Sequence, residues 1–377
     1  MHVVINGWFW NRPATGSGQY TRQLVLHLAE VEPALRITVV IPGSAGPPLP
    51  WQPPNVVLLP GGRPRGNLGK VWFEQITFPR LARRLGADLA HVPYWAPPLQ
   101  PTLPTVVTIH DLIPLLLPEY RGGALVRLYT ALVQTATANA ALVLTDSQAS
   151  RRDIVTHLQV PPERVRAIPL AAGPAFRPQP GPDDEAIRRK YGLPEEYVLY
   201  LGGFDVRKNV VTLLQAWTFA EEAMGWLMPL VLAGRLPKAH TPFTPDPRRI
   251  RAALEINPET VRFPGPIAEA DKPAVYRGAL CFLFPSRYEG FGLPPLEALA
   301  CGVPVVGSNA ASLPEVVGDA GILVDPDDAR SMAGGLIALV HDARLHETLR
   351  RRALVQAARF SWERTARETL EAYTNRT

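Results

Sequence analysis

Short β-branched runs alternate with longer stretches of helical periodicity along this chain, the pattern of buried parallel strands joined by crossover helices. In the first half the apolar runs fall at 2–6 (HVVIN), 37–42 (ITVVIP), 55–59, 88–92, 105–110 and 141–146, with helical patterns at 18–30, 71–86, 122–138 and 147–158. Around 167–184 the pattern gives way to Pro and Gly, the composition of a connection between domains. A second series follows at 197–203, 228–234, 261–263, 279–286, 303–308 and 321–324, and from about 327 the chain reads as amphipathic helix to near its C-terminus. The pattern predicts an α/β protein of two Rossmann-like parallel-sheet domains facing a deep interdomain cleft. Ligands of open α/β sheets bind at the carboxyl ends of the strands.

Composition narrows the picture. The 377 residues are 46% hydrophobic and 19% charged, which excludes disorder and a collagen-like chain and suits two domains. No apolar run is long enough to span a bilayer, and the opening MHVVINGWFW lacks the basic and apolar regions of a signal peptide, so a cytoplasmic location is expected. Two cysteines, Cys281 and Cys301, cannot build a disulfide framework or a structural zinc site. The net charge of +5 is uneven: residues 1–175 hold 15 Lys and Arg against 9 Asp and Glu, and the rest hold 24 against 25. That is too dilute for a nucleic-acid-binding stripe, so no nucleic-acid partner is expected.

Several familiar signals fail on inspection. GSGQY at 16–20 follows the first strand as a dinucleotide fingerprint would, but Thr21 stands where the third Gly is required. GNLGKV at 66–71 lacks the first Gly and the final Ser or Thr of a phosphate loop. DPDD at 325–328 lies between a strand and a helix, where a turn and N-cap explain it better than a metal. There is no G-x-S-x-G elbow, and no pair of His shares a helical face at metal-ligand spacing.

The informative stretch is 284–328. A strand ends near Pro285, and a loop with Gly290 and Gly292 leads into a helix opened by Pro294–Pro295. Backbone N–H groups of Gly290, Phe291, Gly292 and Leu293 at such a turn form an anion seat, framed by Glu289 and Glu297. A carboxylate there can accept two hydroxyl hydrogen bonds, as a ribose or sugar diol requires. The second element is YLGGFDVRKN at 200–209, where Arg207 and Lys208 sit at a strand-to-helix turn. Such a cation pair can neutralise a diphosphate leaving group, the main electrostatic demand of glycosyl transfer.

With these motifs the chain resembles the retaining sugar-nucleotide glycosyltransferases of family 4, which have the glycosyltransferase-B fold. Glu289 and Glu297 meet the family's E-x7-E motif within GFGLPPLEALACGVPVV. GSG at 16–18, HDLIPLLLPEY at 110–120, TDSQASRRDI at 145–154 and FRP at 176–178 are also similar. The resemblance implies that Arg207 and Lys208 bind the donor diphosphate, with Lys208 counted among the catalytic residues. Glu289 contacts the donor sugar, Glu297 holds the ribose, and the amides of Gly290, Phe291, Gly292 and Leu293 hold the distal phosphate. Gly18 closes against the diphosphate, His110 lies near the donor sugar, and the base sits near Pro266 and Ile267. Arg235 stands where many relatives have a small residue or Pro. The domains are placed at 1–172 and 173–359, with a C-terminal helix at about 360–377 returning to the first.

Retention without an agreed nucleophile implies a front-face displacement in which the departing phosphate helps deprotonate the acceptor. Neither cofactor nor metal is expected, because Arg207, Lys208 and backbone dipoles supply the positive field. The wording of 110–120 and 312–326 is most similar to mannosyltransferases using GDP-mannose and a glycan or lipid-linked acceptor in polysaccharide biosynthesis. UDP-glucose, UDP-galactose and dTDP-rhamnose stay open, as do a phosphorylase, a sugar-nucleotide epimerase and a silent sugar-nucleotide binder. Residues 63–86 mix Arg63, Arg65, Lys70, Arg80, Arg83 and Arg84 with Trp72, Phe73 and Phe78. They read either as a peripheral contact with the inner face of a membrane or as an ordinary helix with its aromatics in the core.

Overall fold

The computed structural model describes residues 1–13, 15–43, 51–224 and 228–375. Most of the Pro-rich stretch at 43–54 lies outside them. The chain divides into two compact units, Met1–Leu170 with Ser361–Thr377, and Ala171–Phe360.

The first unit carries a seven-stranded sheet: β1 (His2–Asn6), β2 (Arg36–Ile41), β3 (Val56–Pro60), β4 (Leu89–Val92), β5 (Thr105–Thr108), β6 (Leu142–Thr145) and β7 (Val165–Ala167). They are ordered β3-β2-β1-β4-β5-β6-β7, all parallel. The order reverses between β1 and β4, which makes their carboxyl ends the switch point of this sheet. The six apolar runs of the first half each become a strand; β7 has no run to announce it. It is three residues long, at the sheet edge, and its Arg166 breaks any apolar pattern.

The second unit carries β8 (Val198–Leu201), β9 (Leu230–Ala233), β10 (Val261–Gly265), β11 (Cys281–Phe284), β12 (Val305–Ser308) and β13 (Gly321–Val324). Their order is β10-β9-β8-β11-β12-β13, again parallel, with the switch point between β8 and β11. The inner strands β8, β9, β11 and β12 are buried on both faces, so they read as continuous apolar runs rather than alternating ones. In β8, Val198 and Tyr200 enter one core cluster and Leu199 and Leu201 the other; in β11, Cys281 and Leu283 share the first while Phe282 and Phe284 share the second. Both cysteines are buried and free.

The helical stretch expected at 71–86 begins earlier, at Gly66, and is interrupted by a π-helical turn at Phe73–Thr77 before continuing as Phe78–Arg84. That turn rotates the register so that Phe73, Glu74 and Phe78 all point inward. The helical tail breaks into Ala329–His341, Ala343–Ala357 and Trp362–Thr374, the last two opened by the N-caps Asp342 and Ser361. The helix Trp362–Thr374 packs on Gly16–Val31 within the first unit. No helix among the described residues is long and apolar enough to cross a membrane.

Candidate active site

The two diagnostic loops of the second unit leave neighbouring strands. The turn after β8 carries Arg207 and Lys208 in a 3-10 turn, and the loop after β11 carries Glu289. Because the strand order reverses between β8 and β11, no crossover helix covers this point and the two loops meet. Arg207 Nη1 and Lys208 Nζ each lie 2.7 Å from Oε1 of Glu289, and Ser286 Oγ donates to the same oxygen. Arg207 also donates to the Tyr288 carbonyl at 2.8 Å. The Lys208 ammonium stands 4.8 Å from the centre of the Phe284 ring. Burial alone would lift the Glu289 carboxyl. The charges of Lys208 and Arg207, with hydrogen bonds from Lys208 and Ser286, overcome it and hold the group below the ordinary carboxylate range.

The turn into the next helix is made by Gly292, whose φ of +112° is open to glycine but strained for other residues. Its carbonyl accepts from Leu296 N, and Ser312 Oγ donates to the carbonyls of Glu289 and Phe291 at 2.8 and 2.6 Å. These bonds clamp the loop from behind. Pro294 and Pro295 carry no N–H, so the donors at this helix start come from residues up to Leu293. Glu297 lies inside the first turns of Leu293–Ala300, buried, and Oε2 accepts from Tyr276 OH at 3.0 Å. Burial pushes its carboxyl up to about 7, against the pull of Lys272 and of the Tyr276 hydroxyl, with Glu269 adding to the rise. Pro266 and Ile267 follow β10 at the same end of the sheet, Pro266 exposed and Ile267 packed at the core edge. Arg235 follows β9 and is exposed. The DPDD segment is structural: Asp327 binds Arg287 at 2.7 Å, and Asp328 caps the helix Ala329–His341.

In the first unit, Gly18 opens the helix Gly16–Val31, with its N–H donating to Thr15 Oγ1 at 3.2 Å. A Cβ there would sit 2.1 Å from the Arg12 carbonyl, so close packing already requires glycine at this position. His110 lies just beyond β5, with Nδ1 2.7 Å from Asp146 Oδ2. Asp146 was not singled out by sequence. The only signal for it is register: Thr108 pairs with Leu144, so two residues on, positions 110 and 146 stand side by side. Ser286, Tyr276 and Ser312 were missed for the same reason, since each acts through a fold contact and not a motif.

The 63–86 stretch divides between core and surface. Phe73 and Phe78 are fully buried. Lys70 is tied to Glu74 Oε1 at 2.7 Å and to Tyr129 OH at 2.8 Å. These three are therefore removed from any membrane-facing set. Arg63, Arg65, Arg80, Arg83 and Arg84 are exposed, as are Leu68 at 87% and Trp72 at 61%.

Set beside known proteins, residues 183–358 match the family of glycosyl transferases group 1, and residues 14–172 match Glycosyltransferase Family 4. The chain is 35% identical over 269 residues to O-antigen chain mannosyltransferase B of Escherichia coli, covering 71% of this chain and 69% of that protein. It is 31% identical over 273 residues to the serotype-specific mannosyltransferase WbdA of Escherichia coli, covering 72% of this chain and 33% of that longer protein. Among solved structures, sucrose-phosphate synthase from Thermosynechococcus elongatus superposes with a TM-score of 0.75 over 99% of this chain and 98% of its own, at 22% identity, a likeness of fold.

Proposed function

This chain belongs to glycosyltransferase family 4 and has the glycosyltransferase-B fold, and from that premise we propose that it moves mannose from GDP-mannose, with retention of configuration, onto a glycan or lipid-linked acceptor. The observation that carries the mannosyl reading is the match to an O-antigen chain mannosyltransferase over most of this chain. Arg207 and Lys208 bind the donor diphosphate, and their positive charge grows in value as the phosphate leaves. The Gly290–Leu293 turn holds the distal phosphate, Glu297 the ribose hydroxyls, and Pro266 and Ile267 border the base. Gly18 and His110 are the first unit's contributions to the donor.

Glu289 supports a front-face mechanism. Its Oε1 already accepts from Arg207, Lys208 and Ser286. A carboxylate so engaged is a poor nucleophile and a good orienter, for the cations and for a sugar hydroxyl. The departing phosphate is then the base that takes the acceptor proton, and no metal or other cofactor enters the scheme. The test is transfer from GDP-mannose, UDP-glucose, UDP-galactose and dTDP-rhamnose to a mannose-terminated lipid-linked acceptor, with and without chelator. GDP-mannose alone giving an α-linked product, unaffected by chelator, is expected. Transfer from a different donor, an inverted product, or loss of activity with chelator would each overturn the corresponding part.

The exposed Leu68 and Trp72 support membrane contact by the first unit. Lys70 links their helix to Ala124–Thr137, which exposes Leu125 at 82% and Leu128 at 69%. Apolar side chains among Arg63, Arg65, Arg121 and Arg127 suit an anionic bilayer. Flotation with anionic vesicles is expected, lost with neutral vesicles and weakened by Leu68→Ser with Trp72→Ser.

A further inference from the structure

Glu74 is a carboxylate fully buried in the first unit, aimed inward by the π-helical turn Phe73–Thr77. Its Oε1 lies 2.7 Å from Lys70 Nζ, and its Oε2 accepts from Tyr129 OH at 2.9 Å. Lys70 Nζ also donates to Tyr129 OH at 2.8 Å, which closes a triangle of polar groups. The same ammonium stands 4.6 Å from the centre of the Tyr129 ring and 5.5 Å from that of Tyr94. Tyr94 lies two residues beyond β4 and donates at 3.1 Å to Oδ1 of Asn6, the last residue of β1. The cluster therefore sits at the carboxyl ends of β1 and β4, where the strand order reverses and an open sheet takes its ligand. A buried carboxylate paired with one lysine adds little to stability, because desolvation cancels most of the attraction. What the pair does is fix the ammonium in place. Lys70 is the only lysine of the first unit, and 24% of its side chain is open to solvent.

We propose that Lys70 binds the phosphate or diphosphate that joins the sugar acceptor to its lipid, with Glu74 and Tyr129 as its positioning residues. This rests on the glycosyl-transfer reading above and narrows its acceptor to an anionic, lipid-linked one. The hydrogen-bond inventory points to an anion. Glu74 and Tyr129 take two of the three ammonium protons, and among the described residues nothing takes the third. Asn6 Nδ2 is a second donor with no partner among the described residues, in a side chain only 1% exposed. The bonds from Tyr94 OH and Trp8 N both go to its Oδ1. Donors in excess at one sheet end are matched by a group that only accepts, and phosphate oxygens do so with charge. A lysine held by a glutamate is also how protein kinases present an ammonium to a nucleotide's phosphates. The lipid half follows from the two helices that Lys70 bridges. Gly66–Trp72 exposes Leu68 and Trp72, and Ala124–Thr137 exposes Leu125 and Leu128, so an apolar chain leaving the phosphate has a surface to lie on.

The test is calorimetric binding to the full chain, without donor, of two acceptors that share a terminal mannose and an alkyl chain. One is joined through a diphosphate and the other through a neutral glycosidic link. Wild type should bind the diphosphate form about tenfold more tightly or better, as one charge-assisted contact provides. Lys70→Met should erase that ratio and leave both the neutral acceptor's affinity and the KM for nucleotide-sugar unchanged. Because Lys70→Met strands Glu74 without its cation, Lys70→Met combined with Glu74→Gln is measured beside it. The double variant should show the same loss with a melting temperature near wild type. Glu74→Gln alone should lower the ratio about threefold, an effect that a purely structural role would not confine to the charged acceptor. Anionic vesicles free of acceptor should bind wild type and Lys70→Met alike. Equal affinity for the two acceptors in wild type, a ratio that survives in the folded double variant, or vesicle binding lost with Lys70 would each overturn the proposal. Binding needs no turnover, so a chain that transfers no sugar would sink the functional reading while the ratio still decides this site.

Discussion

Glu289 and Glu297 are eight residues apart, both withdrawn from water, and opposite in character. Glu289 sits in a loop that meets Arg207 and Lys208 from the neighbouring strand end, and their charges keep it ionised. Glu297 sits inside a helix turn with the Tyr276 phenol as its hydrogen-bond donor and Lys272 acting on it through charge, and burial outweighs both and pushes it to about 7. Burial is common to both, so what separates them is the cation pair. The first acid belongs to a permanent ionic cluster, whereas the second changes charge in the range where enzymes work.

Removing a cation tests the contrast most severely. Lys208→Ala should lower kcat about a hundredfold, because it deletes a donor to the leaving phosphate. Its melting temperature should stay close to wild type, and near-normal transfer would sink the phosphate assignment. Glu289→Gln should cost about tenfold in kcat at every pH between 6 and 8, since an acid kept ionised has no proton to lose there. A pH-dependent defect would erase the distinction between the two acids.

Glu297→Gln should act on donor binding instead. A ribose diol donates to the carboxylate, so the ionised form binds and the protonated form does not. The wild-type KM for donor should therefore rise about tenfold as pH falls from 8 to 6, while the variant's KM is high and flat. A smaller effect concerns stability. The folded pKa of about 7 exceeds the ordinary 4.5, so folding holds this proton and stability falls as pH rises between the two values. Glu297→Gln should melt above wild type at pH 8, and the gain should vanish toward pH 4.5. The mildest change is Gly292→Ala, with a φ of +112° and a Cβ 2.9 Å from Leu313 Cδ2. It should cost about 1–2 kcal/mol, read as a lower melting temperature.

Most of the architecture was legible because parallel strands covered on both faces leave unbroken apolar runs, and every such run became a strand. Val165–Ala167 was illegible because an edge strand of three residues with Arg in the middle leaves no run. At the site, Glu289, Arg207 and Lys208 could be read because their motifs are local. Their contact could not, since it depends on β8 and β11 being neighbours across a reversal of strand order. Asp146 beside His110 and Tyr276 beside Glu297 are products of register and packing, 36 and 21 residues apart. Gly18 looked like a ligand-facing glycine, and its geometry supplies a sufficient reason of another kind in the Arg12 carbonyl pressed against it.

The helix Trp362–Thr374 has a consequence for how the molecule comes into being. It completes the first unit, yet the ribosome delivers it after the whole of the second. Until then Tyr373 is missing from His91, and Trp362 from its place beside Tyr20 and His27. The nascent first unit must therefore wait with an unfilled face while the second is synthesised. A truncation that removed Tyr373 would therefore injure the part of the protein that is made first.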